Sequence, residues 1–185
     1  RWTAFGMLSS HARSHGTPPK EPWEYGQDFM NAFRKMDEMR YRLMPYIYAQ
    51  AKDSCSRGLP MVRALFVEYP DDPGAWLVDD QYLFGSDILV APLLESGTGR
   101  NVYLPSGKWI DYQSGRVYAG GWSRIDAGEI PAVVLVRDGA VIPHIQLAQS
   151  TAFMDWSNVE LAVYAADKQT AAGLVCLPSD QKLYT

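Results

Sequence analysis

Histidine and cysteine are scarce in this chain of 185 residues, which holds three of one and two of the other. Cys55 and Cys176 lie far apart and in no CxxC pattern. That argues against a zinc site or a thioredoxin-like redox pair and makes two structural thiols the default, with a disulfide still open. An excess of basic charge is missing as well. Lys and Arg total 17 against 21 Asp and Glu, a formal net charge of −4. Phosphate backbones and anionic membranes therefore meet no general attraction, and nucleic acid and membrane are set aside as partners. No apolar run approaches the roughly 18 residues of a membrane-spanning helix. The longest, residues 88–94 and 130–136, have the length of strands. The start at Arg1 carries no charged n-region and no apolar h-region, so no compartment is legible, and a piece of a longer protein is expected. Disorder is excluded by what is present: 47% hydrophobic and 12% aromatic residues can bury enough surface to offset backbone entropy.

The texture changes along the chain, from a helix-like first third to short β-prone runs beyond about residue 87. One long helix is expected over 27–54, because Phe29, Phe33, Met36, Leu43, Ile47 and Ala51 recur at helical spacing, with a kink at Pro45 and an end at Gly58-Leu59-Pro60. Residues 61–68 read as a strand apolar on both faces, as in a covered parallel sheet, which with the helix suggests an α/β unit. The turn-rich stretch 69–74 should leave that strand sharply. From Asp87 onward, runs such as 88–94, 101–104, 109–112 and 132–136 are separated by Pro105-Ser106-Gly107, Ser114-Gly115, Gly120-Gly121 and Asp138-Gly139. That punctuation predicts a sandwich or barrel.

Three features could carry chemistry. His11 and His15 would share a helix face and could start a zinc site, but Ala12 stands where a metalloprotease has its Glu, and His144 is remote. No metal or organic cofactor is expected. Asp71-Asp72 and Asp79-Asp80 offer paired carboxylates of the kind a glycosidase needs, yet neighbours on an extended chain point to opposite faces, and Asp72 before Pro73 suits a turn. Trp2, Phe5, Arg13, His15, Trp23 and Tyr25 combine flat aromatic faces with hydrogen-bond donors, which suits a sugar ring, or else pins a loop to a core.

Taken in order, Arg1-Trp2-Thr3-Ala4-Phe5-Gly6, Leu8-Ser9-Ser10-His11-Ala12-Arg13-Ser14-His15-Gly16, Glu21-Pro22-Trp23, Arg40-Tyr41-Arg42-Leu43-Met44-Pro45 and Pro60-Met61-Val62-Arg63-Ala64 resemble glycoside hydrolase family 31, the α-glucosidases and α-xylosidases. The resemblance continues through Asp80-Gln81, Ile88–Pro92 and the 102–109 run, and weakens beyond about residue 145. It implies the C-terminal part of a (β/α)8 barrel over residues 1–86, followed by an antiparallel β-sandwich over 87–185 whose final residues enter a further β domain. Retaining hydrolysis by two aspartates is also implied. Both lie in family motifs not found here, so no catalytic residue is assigned and the chain alone is expected to be inactive. Arg13-Ser14-His15 matches the segment in which a histidine, following a late barrel strand, hydrogen-bonds the substrate sugar. His15 is therefore the expected sugar ligand, with Arg13 in support and Trp23 a further candidate for the loop wall. The Leu8–Gly16 stretch is closer to bacterial α-xylosidases. The expected partner is an oligosaccharide ending in α-linked xylose, the alternatives being an α-glucosidase or a non-catalytic carbohydrate-binding or structural module.

Overall fold

The computed structural model describes all of residues 1–185. Helices come first: α1 (Trp2–Met7), α2 (Gln27–Arg42) and α3 (Met44–Arg57). The single kinked helix expected over 27–54 is thus two helices, broken at Leu43. Pro45 sits in the first turn of α3, where a missing N–H costs nothing, so the chain restarts a helix before the proline instead of bending at it. Gly58, in the left-handed region, ends α3 as expected.

The strand expected over 61–68 is largely replaced. Only β1 (Val62–Arg63) is extended, and α4 (Leu65–Glu68) follows. Arg63 is fully buried and needs charge partners. Turning the chain into a helical turn brings the Glu68 carboxylate back onto its guanidinium, with Asp53 of α3 nearby at 3.9 Å and the Pro60 carbonyl at 2.6 Å. β1 pairs antiparallel, not parallel, with β2 (Tyr82–Phe84).

β2 forms a hairpin with β3 (Ile88–Pro92), and β3 continues the sheet through β6 (Ala132–Arg137), β4 (Gly99–Asp111) and β5 (Val117–Asp126), in the order β1-β2-β3-β6-β4-β5. Every pairing in it is antiparallel. This sheet runs straight through residue 86, where the sequence had suggested a division. β7 (Ala140–His144) pairs with β8 (Glu160–Tyr164), and β9 (Val175–Cys176) with β10 (Leu183–Tyr184). No strand precedes β1: residues 1–61 are helices and loops.

The central strands are apolar on both faces because both faces are covered. Tyr82, Phe84, Ile88, Val90, Val134 and Val136 pack under α1, α2 and α3 with Leu8, Met36, Leu43 and Ile47. The alternate residues, Leu83, Leu89, Ala91, Val133 and Leu135, meet Leu65, Val78 and the inner side of the β4–β5 ribbon at Val102, Leu104, Trp109 and Ile125. Pro105-Ser106-Gly107 and Gly120-Gly121, expected as turns between strands, lie inside this ribbon. Its register shifts there: Leu104 pairs with Gly121 but Lys108 with Ala119. A Cβ on Gly120 would stand 3.1 Å from the Pro105 carbonyl oxygen and the Ser106 Cα, a tight contact, and Gly121 beside it has φ +107°, where glycine is favoured. Both cysteines are free thiols, Cys55 exposed and Cys176 buried.

α3 is tied to the β2–β3 turn by side chains. The Tyr46 hydroxyl donates to the Phe84 carbonyl at 2.7 Å and accepts the Asp87 N–H at 3.1 Å, while the Gln50 amide spans Ser86 through two bonds of 3.0 Å. Gly85 of that turn has φ +71°, and a Cβ there would lie 2.4 Å from the Tyr46 oxygen. Burial drives the pKa of Tyr46 strongly upward, so this phenol stays protonated. Replacing Tyr46 by Phe strands two buried backbone groups and should cost about 1–3 kcal/mol in urea unfolding. A loss below about 0.5 kcal/mol would show that water or neighbouring groups replace the hydroxyl.

His144 at the end of β7 is buried, and its Nε2 lies 2.7 Å from the Tyr112 hydroxyl. Burial, reinforced by Arg42, lowers its pKa; Glu160 and a hydrogen bond to the Ile142 backbone oppose the shift. The unfolded chain, with its ordinary imidazole, takes up a proton first as pH falls. The His144 contribution to stability is therefore intact at higher pH and is lost as pH drops below roughly 6.5. Stability of the His144→Gln variant should accordingly depend less steeply on pH between about 7.5 and 5. Equal slopes for the two proteins would remove His144 as the source.

Candidate functional site

The loop between α1 and α2 carries His11, Arg13, His15 and Trp23, and residues 11–21 of it are exposed throughout. Its root is held from below. The Arg40 guanidinium on α2 donates to the carbonyl oxygens of Met7 (2.7 Å), Ser9 (2.6 Å) and Ser10 (3.0 Å). From the sheet, the Tyr82 hydroxyl donates to the Leu8 carbonyl at 2.8 Å. The strand that the resemblance implies just before Arg13 is not formed. A strand needs a neighbour to accept its backbone bonds, and here a guanidinium and a phenol satisfy those carbonyls instead.

Arg40 is half-buried, and desolvation lowers its pKa against the opposing pull of Asp37. Asp37 is raised by its own burial, with Arg40 opposing. An arginine so shifted stays charged, and its bonds to the loop are charge-assisted. Farther along, Ser14 Oγ donates to the Lys20 carbonyl at 2.6 Å, closing the loop on itself around His15.

Between this loop and α2 lies an open cleft of about 520 Å³. His11, Arg13 and His15 form one wall, Phe29 and Phe33 of α2 the other, with Trp2 and Tyr25 at its edges. The ring centroids of Tyr25 and Phe29 are 5.2 Å apart, and those of Phe29 and Phe33 6.0 Å apart. No Asp or Glu lines this cleft. It offers imidazole and guanidinium groups opposite aromatic faces, a set able to hold hydroxyls and C–H surface but without a carboxylate to attack or protonate a glycosidic bond.

His15 and Arg13 therefore come together, while Trp23, on the 3₁₀ turn Pro22–Tyr25, stands exposed outside the cleft. His11 and His15 lie in loop, not on the shared helix face that a zinc site would use, and nowhere do three metal-ligating side chains gather. One aspartate of each acidic doublet is occupied elsewhere. Asp72 Oδ1 accepts the Gly74 N–H and the Tyr103 hydroxyl, and the Asp80 carboxylate pairs with Arg100. Phe29 and Phe33, assigned by periodicity to the core stripe, are only half-buried and serve as cleft wall. Nothing in the sequence marks Arg40 and Tyr82 as anchors of the loop, since no spacing signals a contact to a carbonyl some 30 or 70 residues away.

Comparison with known proteins decides the family. The "Glycosyl hydrolases family 31 TIM-barrel domain" model matches residues 1–50, and the "Glycosyl hydrolase family 31 C-terminal domain" model matches residues 58–142. The chain belongs to glycoside hydrolase family 31. Among curated family 31 relatives, the α-xylosidase XylQ of Lactiplantibacillus pentosus is 36% identical over 170 residues, 89% of this chain and 22% of that protein. α-Glucosidase 2 of Bacillus thermoamyloliquefaciens is 31% identical over 160 residues, 84% of this chain and 20% of that protein. Among solved structures, a Flavobacterium johnsoniae family 31 dextranase complexed with isomaltotriose superposes with a TM-score of 0.79 at 34% identity, covering 90% of this chain and 21% of its own. The Xanthomonas citri family 31 α-xylosidase gives 0.78 at 32% identity, covering 89% and 19%. The chain thus spans about one fifth of the length of the relatives it matches.

Replacing Arg40 by Met should free the loop root from its charged donor, at about 1.5–3 kcal/mol per charge-assisted bond lost at most. Cleavage of the native protein by trypsin after Arg13 should then accelerate roughly 10- to 100-fold, with a much smaller change in the global unfolding midpoint. Unaltered cleavage there would mean that the loop is held by something other than Arg40.

Proposed function

We propose that this chain is part of a retaining α-glycoside hydrolase, an α-xylosidase removing terminal α-linked xylose from oligosaccharides, and that it supplies a sugar-binding histidine to a pocket whose reacting aspartates come from elsewhere in the protein. The observation that carries the reading is the cleft itself: donors and aromatic faces converge on it, and no carboxylate does. The choice of xylose rests on the longer matches: α-xylosidases at 36%, 35% and 35% identity over 170, 153 and 170 residues, against α-glucosidases at 31% and 30% over 160 and 161; a lysosomal α-glucosidase at 38% over only 117 residues keeps glucose as the second reading.

In the proposed reaction one aspartate attacks the anomeric carbon while a second protonates the departing oxygen, then activates water for the return step. His15 binds sugar hydroxyls, and a neutral imidazole suits this because one nitrogen donates while the other accepts. Arg13 lies on the same wall and supports the loop or a hydroxyl at its rim; Trp23, outside the cleft, would reach the sugar only from a neighbouring wall. As for domains, the continuous sheet favours placing residues 1–57 with the barrel and the rest with the C-terminal domain, in place of a division after residue 86. The chain alone would not hydrolyse glycosides.

In the complete enzyme, His15→Ala should lower kcat/KM for an aryl α-xyloside by roughly 10- to 100-fold, about 1.4–2.8 kcal/mol of transition-state binding, with little change in melting temperature. Unchanged kinetics would remove His15 as a ligand. A higher kcat/KM for the α-glucoside than for the α-xyloside in the unmodified enzyme would replace xylose by glucose.

A further inference from the structure

We propose that the outer face of the β4–β5 ribbon is a second carbohydrate-binding surface, separate from the His15 cleft, which takes a neutral α-linked oligosaccharide or polysaccharide chain. The choice of ligand rests on the glycosidase reading above; the surface rests on its own geometry.

Alternation along the ribbon sends Val102 and Leu104 into the core and Asn101 and Tyr103 to the other side, where Asn101 is exposed and Tyr103 is half-buried, its ring backed by the Gly74 turn so that it supports Trp122. Register then places Tyr103 opposite Trp122, and Asn101 opposite Arg124. The result is a two-by-two array on one side of the sheet, two aromatic rings beside two hydrogen-bonding side chains. The ring centroids are 5.4 Å apart, and Trp122 is 63% exposed. A single exposed tryptophan is ordinary on a protein surface. A registered ring pair flanked by an amide and a guanidinium offers more: apolar faces for sugar C–H patches, with donors and acceptors at the height of the hydroxyl rim.

The platform is held rigid before any ligand arrives. The Tyr103 hydroxyl donates to Asp72 at 2.6 Å, and the buried Gln81 amide binds both the carbonyl (2.6 Å) and the N–H (2.9 Å) of Tyr103. Little ordering entropy would be lost on binding, which favours a shallow site for a weakly held polymer. Trp122 borders a hollow of about 440 Å³ whose charged groups are Asp80, Glu95, Arg100 and Arg124. Two acids and two arginines balance, so a charged ligand meets as much repulsion as attraction and a neutral polyhydroxyl chain is favoured. On the other side, Tyr103 borders an open hollow of about 740 Å³ beside the glycines of the ribbon irregularity. That hollow is lined by Glu68, Asp71 and Asp72 with no basic side chain, so the neutral chain is seated on the Trp122 side, where charge balances.

The test is native gel electrophoresis of the complete protein in gels containing pullulan, soluble starch or dextran, alongside hydrolysis of aryl α-xyloside and α-glucoside. At least one polysaccharide should retard the unmodified protein. Trp122→Ala should weaken that retardation at least tenfold in apparent dissociation constant, Trp122→Phe should retain most of it, and all three proteins should hydrolyse the aryl glycosides equally. Absence of retardation in every gel overturns the proposal, as does equal retardation of the Ala variant. Loss of aryl glycoside hydrolysis in a Trp122→Ala protein that melts at the unmodified temperature also overturns it, since the residue would then serve the reaction site. Should the unmodified protein cleave neither aryl glycoside, the glycosidase reading fails, and the gels still decide the surface.

Discussion

The carbonyl oxygens of Met7, Ser9 and Ser10 converge on one guanidinium, that of Arg40, and the position of everything on the following loop depends on that convergence. Residues 11–21 are exposed throughout and none belongs to the core, so hydrophobic packing alone does not fix them. Charge-assisted bonds to carbonyls can, because each is worth roughly twice a neutral bond and the fork of an arginine fixes direction as well as distance. Arg40 itself sits on α2 one turn before the break at Leu43, with its neighbours Met36, Met39 and Leu43 buried against the sheet. The anchor is thereby referred to the core, and the loop to the anchor.

That core is unusual for an antiparallel sheet in being covered on both sides. Helices close one face, and the sheet's own β4–β5 ribbon, together with α4 and the segment that follows it, closes the other. The Tyr46 and Gln50 side chains fasten α3 to the β2–β3 turn, so the helical part and the sheet are joined by directed bonds as well as by packing. The stretches matched by the two family models meet between residues 50 and 58, at the end of α3, and the Tyr46 and Gln50 bonds to the β2–β3 turn join one stretch to the other.

How much of this the sequence disclosed follows from which forces are local. Strands such as 88–92 and 132–137 were legible because long β-branched runs bounded by turn residues have few alternatives. Continuous apolarity in residues 61–68 suggested a covered parallel sheet, but it reports only that both faces are covered, whatever the strand direction. Residues 61–68 misled for a related reason: Leu-Phe-Val-Glu is apolar enough for a strand, and the demand of a buried Arg63 for the Glu68 carboxylate is a tertiary matter. The loop motif at Arg13-Ser14-His15 drew attention through family resemblance, whereas its anchor Arg40 was visible only as part of another motif. Phe29 and Phe33 fitted the helical stripe and still ended at the surface, since a stripe gives a direction on the helix and not what lies opposite it.

In the proposed division of labour this chain would hold the sugar, while carboxylates from elsewhere in the protein would act on it. The most direct test is a crystal structure of the complete protein with xylose or a xylose-capped oligosaccharide bound. A ring nitrogen of His15 should then lie within hydrogen-bonding distance, about 2.7–3.2 Å, of a hydroxyl on the terminal sugar, with two aspartates from outside this chain at the anomeric carbon. A sugar bound with His15 turned away from it, or with carboxylates of this chain at the anomeric carbon, would contradict that division.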